Sequence, residues 1–228
     1  MGEHVEFPSG DGGGGPTRGY LATPVDGGAG PALIVLGPLL GLEAHTTTVC
    51  DRFAAEGFTA LAPQESGEVG PGDDPQVLGL NVPATIEMLQ GATAFLEEHP
   101  EVHGQGVGAV GFEAGALLAL TFGAGSTADV KAIVVFDGPI LDEVAADSWT
   151  RLEAPVECHL GAQAVDHLRD RADALLAAAR ERQHSVDVFT YPGAAPGFFD
   201  GTRPDVHDAD AAHEAWIRTL SFLRAHLG

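Results

Sequence analysis

Lysine is nearly missing from this sequence: Lys131 is the only one, and lysine and arginine together number 11 against 33 aspartates and glutamates. The resulting formal net charge of −22 makes a surface that repels nucleic-acid phosphates and anionic lipid headgroups, so neither nucleic acid nor membrane is expected as a partner. A solvated acidic surface that aids solubility accounts for the imbalance. Long apolar runs are missing too; none approaches the roughly 20 residues of a membrane span. The stretch Met1-Gly2-Glu3-His4 has neither the basic region nor the apolar run of a secretory signal. Together these point to a cytoplasmic protein.

Cysteine is scarce. Cys50 and Cys158 fall on a predicted helix and a predicted strand and form no metal-ligand spacing. They read as buried free thiols. None of the histidines is read as a metal ligand, and no metal is expected. A glycine-rich run at residues 9–15 is not followed by Lys-Ser/Thr or by a helix, so it reads as a loop and not a phosphate cradle. No glycine fingerprint follows the first core strand either, so no dinucleotide, and no other cofactor, is implied.

What is there is a regular alternation of strands and helices. Residues 5–7 and 19–22 read as a short hairpin. The continuous apolar run at 32–36 reads as a central parallel strand buried on both faces. A helix is expected at 44–56, a strand at 59–62, a polar loop at 64–74 and a helix at 82–98. Strands follow at 132–136, 155–160 and 186–191, with helices at 165–182 and 208–226. Trp216, Leu220 and Leu223 mark the buried stripe of the last helix at i, i+4 and i+7. This order predicts an α/β fold, a mostly parallel central sheet with helices on both faces, in one domain over residues 1–228.

The chemistry centres on Val107-Gly108-Ala109-Val110-Gly111-Phe112-Glu113-Ala114-Gly115-Ala116. An apolar strand ends at Gly111 and a helix of small residues opens near Ala114. Between them lies Gly-x-Glu-x-Gly, the shape of a nucleophile elbow, in which a sharp strand-to-helix turn lifts one side chain above the sheet. The elbow residue is ordinarily a nucleophile; here it is Glu113.

With Leu33-Ile34-Val35-Leu36-Gly37, Gly41-Leu42, the segment at 53–63, and Tyr191-Pro192-Gly193-Ala194 before Phe198-Phe199, the chain resembles the dienelactone hydrolase family of α/β-hydrolases nearly end to end. The resemblance implies the α/β-hydrolase fold. It puts Glu113 in the place of the family's cysteine nucleophile, Ala164 in that of its aspartate and Pro196 in that of its histidine. Pro38 stands where the family has a glutamate. It also implies an oxyanion hole built from the backbone N–H groups of Ala114 and Leu39.

A serine or cysteine nucleophile needs a base within reach, and the base needs an orienting partner. Proline accepts no proton and alanine orients no ring, so ordinary ester or lactone hydrolysis is not expected. A carboxylate beside an oxyanion hole can instead polarise a carbonyl and move a proton. That suits a non-hydrolytic enzyme, a cyclase, isomerase or dehydratase, acting on a carbonyl-containing small molecule with Glu113 as general acid/base. Two alternatives stand beside it: a non-catalytic binder of a small molecule or protein, and a hydrolase using Glu113 as nucleophile. Glu113 could also fold back onto the helix N-terminus and fill the hole.

Pro38, Gln64, Asp137, Gln163 and Phe198 are the candidate pocket residues, with Asp137 also readable as a turn cap. His159 reads as a core or edge histidine, Asp200 as a surface-loop charge, and His45, His207 and His213 as helix-surface residues. Nothing in the sequence indicates an oligomeric state.

Overall fold

The structure, a computed structural model, describes residues 2–10, 15–38, 42–64, 82–138, 149, 151–162, 176–177 and 179–228. Strand β1 (Glu3–Phe7) and β2 (Thr17–Ala22) form the expected antiparallel hairpin. Next come β3 (Gly30–Leu36), helix α1 (Ala44–Ala55), β4 (Thr59–Gln64), α2 (Val82–Glu97) and β5 (Val102–Phe112). They are followed by α3 (Ala114–Gly125), β6 (Val130–Phe136), β7 (Val156–Gly161), β8 (Val186–Tyr191) and α4 (Ala209–Leu227). The strands make one eight-stranded sheet in the order β1-β2-β4-β3-β5-β6-β7-β8. From β4 to β8 every neighbouring pair is parallel.

The pleat sends successive side chains to opposite faces, so β3 feeds two cores at once. Ile34 and Leu36 pack with Leu89 and Leu96 of α2 and Leu118 of α3, while Leu33 and Val35 pack with Phe53 of α1 and Trp216 of α4. Burial on both faces is why residues 32–36 of β3, 106–112 of β5 and 132–136 of β6 read as apolar runs. Helix α3 is apolar on nearly every side, as a helix enclosed by protein must be. Helix α4 is amphipathic, with Trp216, Leu220 and Leu223 inward as expected, and Asp208 caps its start by accepting the Ala211 N–H at 3.0 Å.

Cys50 and Cys158 are buried and free, and burial pushes both thiols up, away from thiolate chemistry. Among the described residues no helix is long and apolar enough to cross a membrane. The chain runs to β4 on one side of β3 and to β5 on the other. The crevice at the carboxyl ends of β3 and β5 is therefore where this topology opens a binding site.

Candidate active site

Glu113 stands alone between β5 and α3, with φ 51° and ψ −113°, a conformation an L-residue holds only when its surroundings impose it. The constraint is visible. The Glu113 N–H donates to Phe136 O at 2.9 Å, and its carbonyl accepts the Ala116 N–H at 3.1 Å. A Cβ at Gly111 would lie 2.3 Å from Gly115 O, and one at Gly115 would lie 2.3 Å from Leu36 O. The glycines of Gly-x-Glu-x-Gly are thus close-approach glycines, as the elbow requires. Asp137, one strand over, repeats the left-handed turn with φ 52°, and its N–H donates to His159 O at 2.9 Å.

The Glu113 side chain makes no capping hydrogen bond to α3. Its Oε1 instead accepts from Arg203 Nη1 at 2.7 Å. The fold-back onto the helix N-terminus does not occur. Ala114 opens α3, so its N–H is one of those without a partner inside the helix. Leu39, the second expected oxyanion donor, lies outside the described residues, as do Gln163 and Ala164.

Beside Glu113 is a small open cleft lined by Pro38, His45, Phe112, Glu113, Phe136, Asp137, Gly197, Phe199 and Asp200. Of the candidate pocket residues, Pro38 and Asp137 line it. Gln64 and Phe198 do not: Gln64 ends β4 opposite Arg18, and Phe198 is fully buried against Tyr191. The neighbouring ring, Phe199, takes the lining position instead. Pro196, which the family resemblance puts in the histidine's place, is exposed, and the next residue, Gly197, reaches the cleft.

Asp137 is more than a turn cap. Its two carboxylate oxygens accept the N–H groups of Gly161 and Gly197, each at 2.7 Å, which ties the end of β7 to the turn that follows β8. Burial pushes its carboxyl up to about 6; the two N–H bonds oppose the rise and Glu113 adds to it.

His45 and Asp200 correct two expectations. Neither is a surface residue: they are 6% and 7% exposed, and His45 Nδ1 lies 3.3 Å from Asp200 Oδ1. His45 stands four residues before Val49 and eight before Phe53, on the buried stripe of α1, a signal that was present in the sequence. Arg203 carries no such local signal. His207 precedes α4 and is exposed, with Nδ1 3.0 Å from Phe198 O, and His213 is exposed on α4. His159 is a core histidine, as expected. His99 and His103 have the four-residue spacing of helical metal ligands, but His99 follows α2 and His103 lies on β5. Among the described residues no group of three or more His, Cys, Asp or Glu side chains could hold a metal ion.

The sequence pattern of the dienelactone hydrolase family matches residues 17–227. The chain belongs to that family. A relative from Aquifex pyrophilus, "Protein usf", is 31% identical over the whole of both chains. A Bradyrhizobium relative, "Probable 2-oxo-3-(5-oxofuran-2-ylidene)propanoate lactonase", is 29% identical over 91% of this chain and 89% of its own. Among solved structures, a dienelactone hydrolase-like promiscuous phosphotriesterase from metagenomic libraries superposes with a TM-score of 0.81 at 24% identity, covering 100% of this chain and 99% of that one. The fold of this dienelactone hydrolase family member is therefore the α/β-hydrolase fold.

Proposed function

We propose that this chain is an enzyme that hydrolyses a small lactone or activated ester without the family's triad, with Glu113 as general acid/base. One observation carries this: the elbow carboxylate is held out to Arg203 at 2.7 Å and makes no bond to the start of α3. The Ala114 N–H is thus left for the carbonyl oxygen of a substrate, with Leu39 as the second donor that the family resemblance implies. Membership of a hydrolase family, with a relative named as a lactonase, supports the reaction class.

In the proposed step Glu113 takes a proton from a water molecule whose oxygen bonds to the carbonyl carbon. The oxyanion rests on the Ala114 N–H. The ring C–O bond then breaks and Glu113 returns the proton to the leaving oxygen, giving a hydroxy acid. Direct attack by Glu113 would instead form a mixed anhydride, higher in energy than the lactone it came from. A carboxylate base avoids that intermediate. A carboxylate that activates water needs no histidine beside it, so the missing triad does not exclude hydrolysis.

A second reading keeps Glu113 and changes the proton it takes: removal of hydrogen alpha to the carbonyl, for isomerisation, dehydration or ring closure. The substitutions at Glu113, Ala164 and Pro196, which together take away the nucleophilic triad, favour it.

The test is mass spectrometry of wild type and Glu113→Gln with a panel of lactones and aryl esters in oxygen-18 water. Hydrolysis predicts a product heavier by one labelled water from wild type, formed about 10²–10⁴ times more slowly by the variant. A wild-type product of unchanged mass selects the second reading. Equal turnover by both proteins removes Glu113 from the chemistry, and retention of a compound without conversion makes the protein a binder.

A further inference from the structure

The proton transfers assigned to Glu113 leave the second polar arrangement in the cleft unused. His45 enters from the first turn of α1, 6% exposed, with Phe112 and Phe199 set edge-on to its ring at 4.7 and 6.2 Å between centroids. Asp200 Oδ1 lies 3.3 Å from Nδ1, and that oxygen also accepts the N–H and the hydroxyl of Thr202 at 2.8 and 2.7 Å. The ring is therefore fixed on three sides. Its Nε2 is buried and has no hydrogen-bond partner among the described residues. A buried ring nitrogen left unsatisfied costs stability, and it calls for an occupant.

The protonation state says what kind. Burial lowers the His45 imidazole, against the pull of Asp200, Glu113 and Glu43 and with a further push from Arg52. Burial would raise Asp200, but the two hydrogen bonds from Thr202 and the charge of Arg203 carry it below the ordinary carboxylate range. A neutral ring beside a carboxylate keeps its one proton on Nδ1, facing Asp200, and presents a lone pair at Nε2. The group that fits there is a donor.

We propose that His45 Nε2 is a substrate-reading acceptor: it receives a hydrogen bond from a hydroxyl carried beside the reacting carbonyl, with Asp200 as its positioning residue. The substrate class is then a hydroxylated lactone and not a plain ester. This rests on the reading of Glu113 as the working carboxylate only in that both residues line one cleft. A site built around a buried acceptor discriminates strongly against a ligand that leaves it unpaired.

The experiment compares α-hydroxy-γ-butyrolactone with γ-butyrolactone as ligands of nitrogen-15 histidine-labelled Glu113→Gln protein, in which Glu113 cannot act as a base. The hydroxylactone is expected to bind at least about tenfold more tightly and to shift the His45 Nε2 resonance, with no such shift from the plain lactone. His45→Phe fills the same space with an apolar ring and is expected to erase the preference. His45→Gln, whose amide oxygen can accept, should keep part of it, and thermal melts confirm that both variants fold. Equal affinity of the two lactones, a preference that survives His45→Phe, or a proton already on Nε2 would overturn the proposal. Failure of the Glu113 reading has a different signature: Glu113→Gln would retain wild-type turnover whatever the binding preference.

Discussion

Glu113 Oε1 lies 2.7 Å from Arg203 Nη1, although the two residues are 90 positions apart in the chain. The pair is partly exposed, 37% and 43% for the two side chains, so its contribution to stability is small, about 0–1 kcal/mol. Its consequence is positional: Arg203 holds the carboxylate away from the Ala114 N–H. Arg203→Ala is expected to unfold within a few degrees of wild type while kcat/KM on the identified lactone falls about ten- to hundredfold. Arg203→Lys keeps the charge but not the planar fork and should fall between. Paired thermal melts and steady-state kinetics check both, and a large loss of stability with kcat/KM intact would contradict the assignment.

Gly115 in the elbow and Gly57 in the turn between α1 and β4 separate by what a methyl group would meet. At Gly115 a Cβ would lie 2.3 Å from Leu36 O and 2.7 Å from Gly37 O, all backbone. At Gly57, φ 90°, nothing lies within 4 Å. Gly115→Ala forces strand and helix apart and should cost about 3 kcal/mol or more, or prevent soluble expression. Gly57→Ala meets only left-handed strain, about 1–2 kcal/mol. Urea denaturation of the two variants measures the difference, and equal losses would mean that α3 is not seated against β3 as described.

Strands, helices and the elbow were legible because their signals are local. The apolar run of β3, the glycine spacing around Glu113 and the i, i+4, i+7 stripe of α4 each lie within a few turns of chain. The cleft was only half legible. Glu113, Pro38 and Asp137 sit at strand ends, where the alternation alone places them. His45, Asp200 and Arg203 come from a helix start and a late turn, and their meeting depends on how α1 and the segment after β8 close over the sheet. The α1 stripe could still have flagged His45, since 45, 49 and 53 share a face. For Arg203, whose contact with Glu113 spans 90 residues, no periodicity exists to read.

Asp137 predicts a pH dependence with a definite sign. Its carboxyl is raised from 3.8 to about 6, so the folded chain holds this proton more tightly than the unfolded one. The stability it contributes is full below about pH 4 and is lost as pH rises through about 6, an effect of up to roughly 3 kcal/mol. Asp137→Asn lacks that titration. The difference in unfolding free energy, wild type minus variant, is expected to grow by about 2–3 kcal/mol between pH 7.5 and 4.5. Denaturation at several pH values tests it; a difference that stays flat or shrinks would place the proton elsewhere.

On the same sheet, further from the cleft, His159 gives the contrasting case of a buried histidine with every nitrogen engaged. Nε2 lies 2.9 Å from Glu157 Oε1 and 3.1 Å from Thr219 Oγ1, and Nδ1 lies 2.9 Å from the Tyr191 hydroxyl. Tyr191 in turn accepts from Arg218 at 3.1 Å, so the network joins β7, β8 and α4. Burial lowers the His159 imidazole even against Glu157, which keeps the ring neutral: Nε2–H donates to the carboxylate and Nδ1 accepts from tyrosine. His159→Phe would leave Glu157, 4% exposed, without this partner and should destabilise by about 3–5 kcal/mol. Removing both polar groups in Glu157→Leu/His159→Phe should cost clearly less than the single change, because no buried charge is stranded. Any fraction of either variant that folds should keep wild-type specific activity, since no atom of this network lines the cleft. A double-mutant cycle read by denaturation and by activity decides it: losses that simply add would mean that Glu157 and His159 are uncoupled, and lost activity in folded protein would bring His159 into the site.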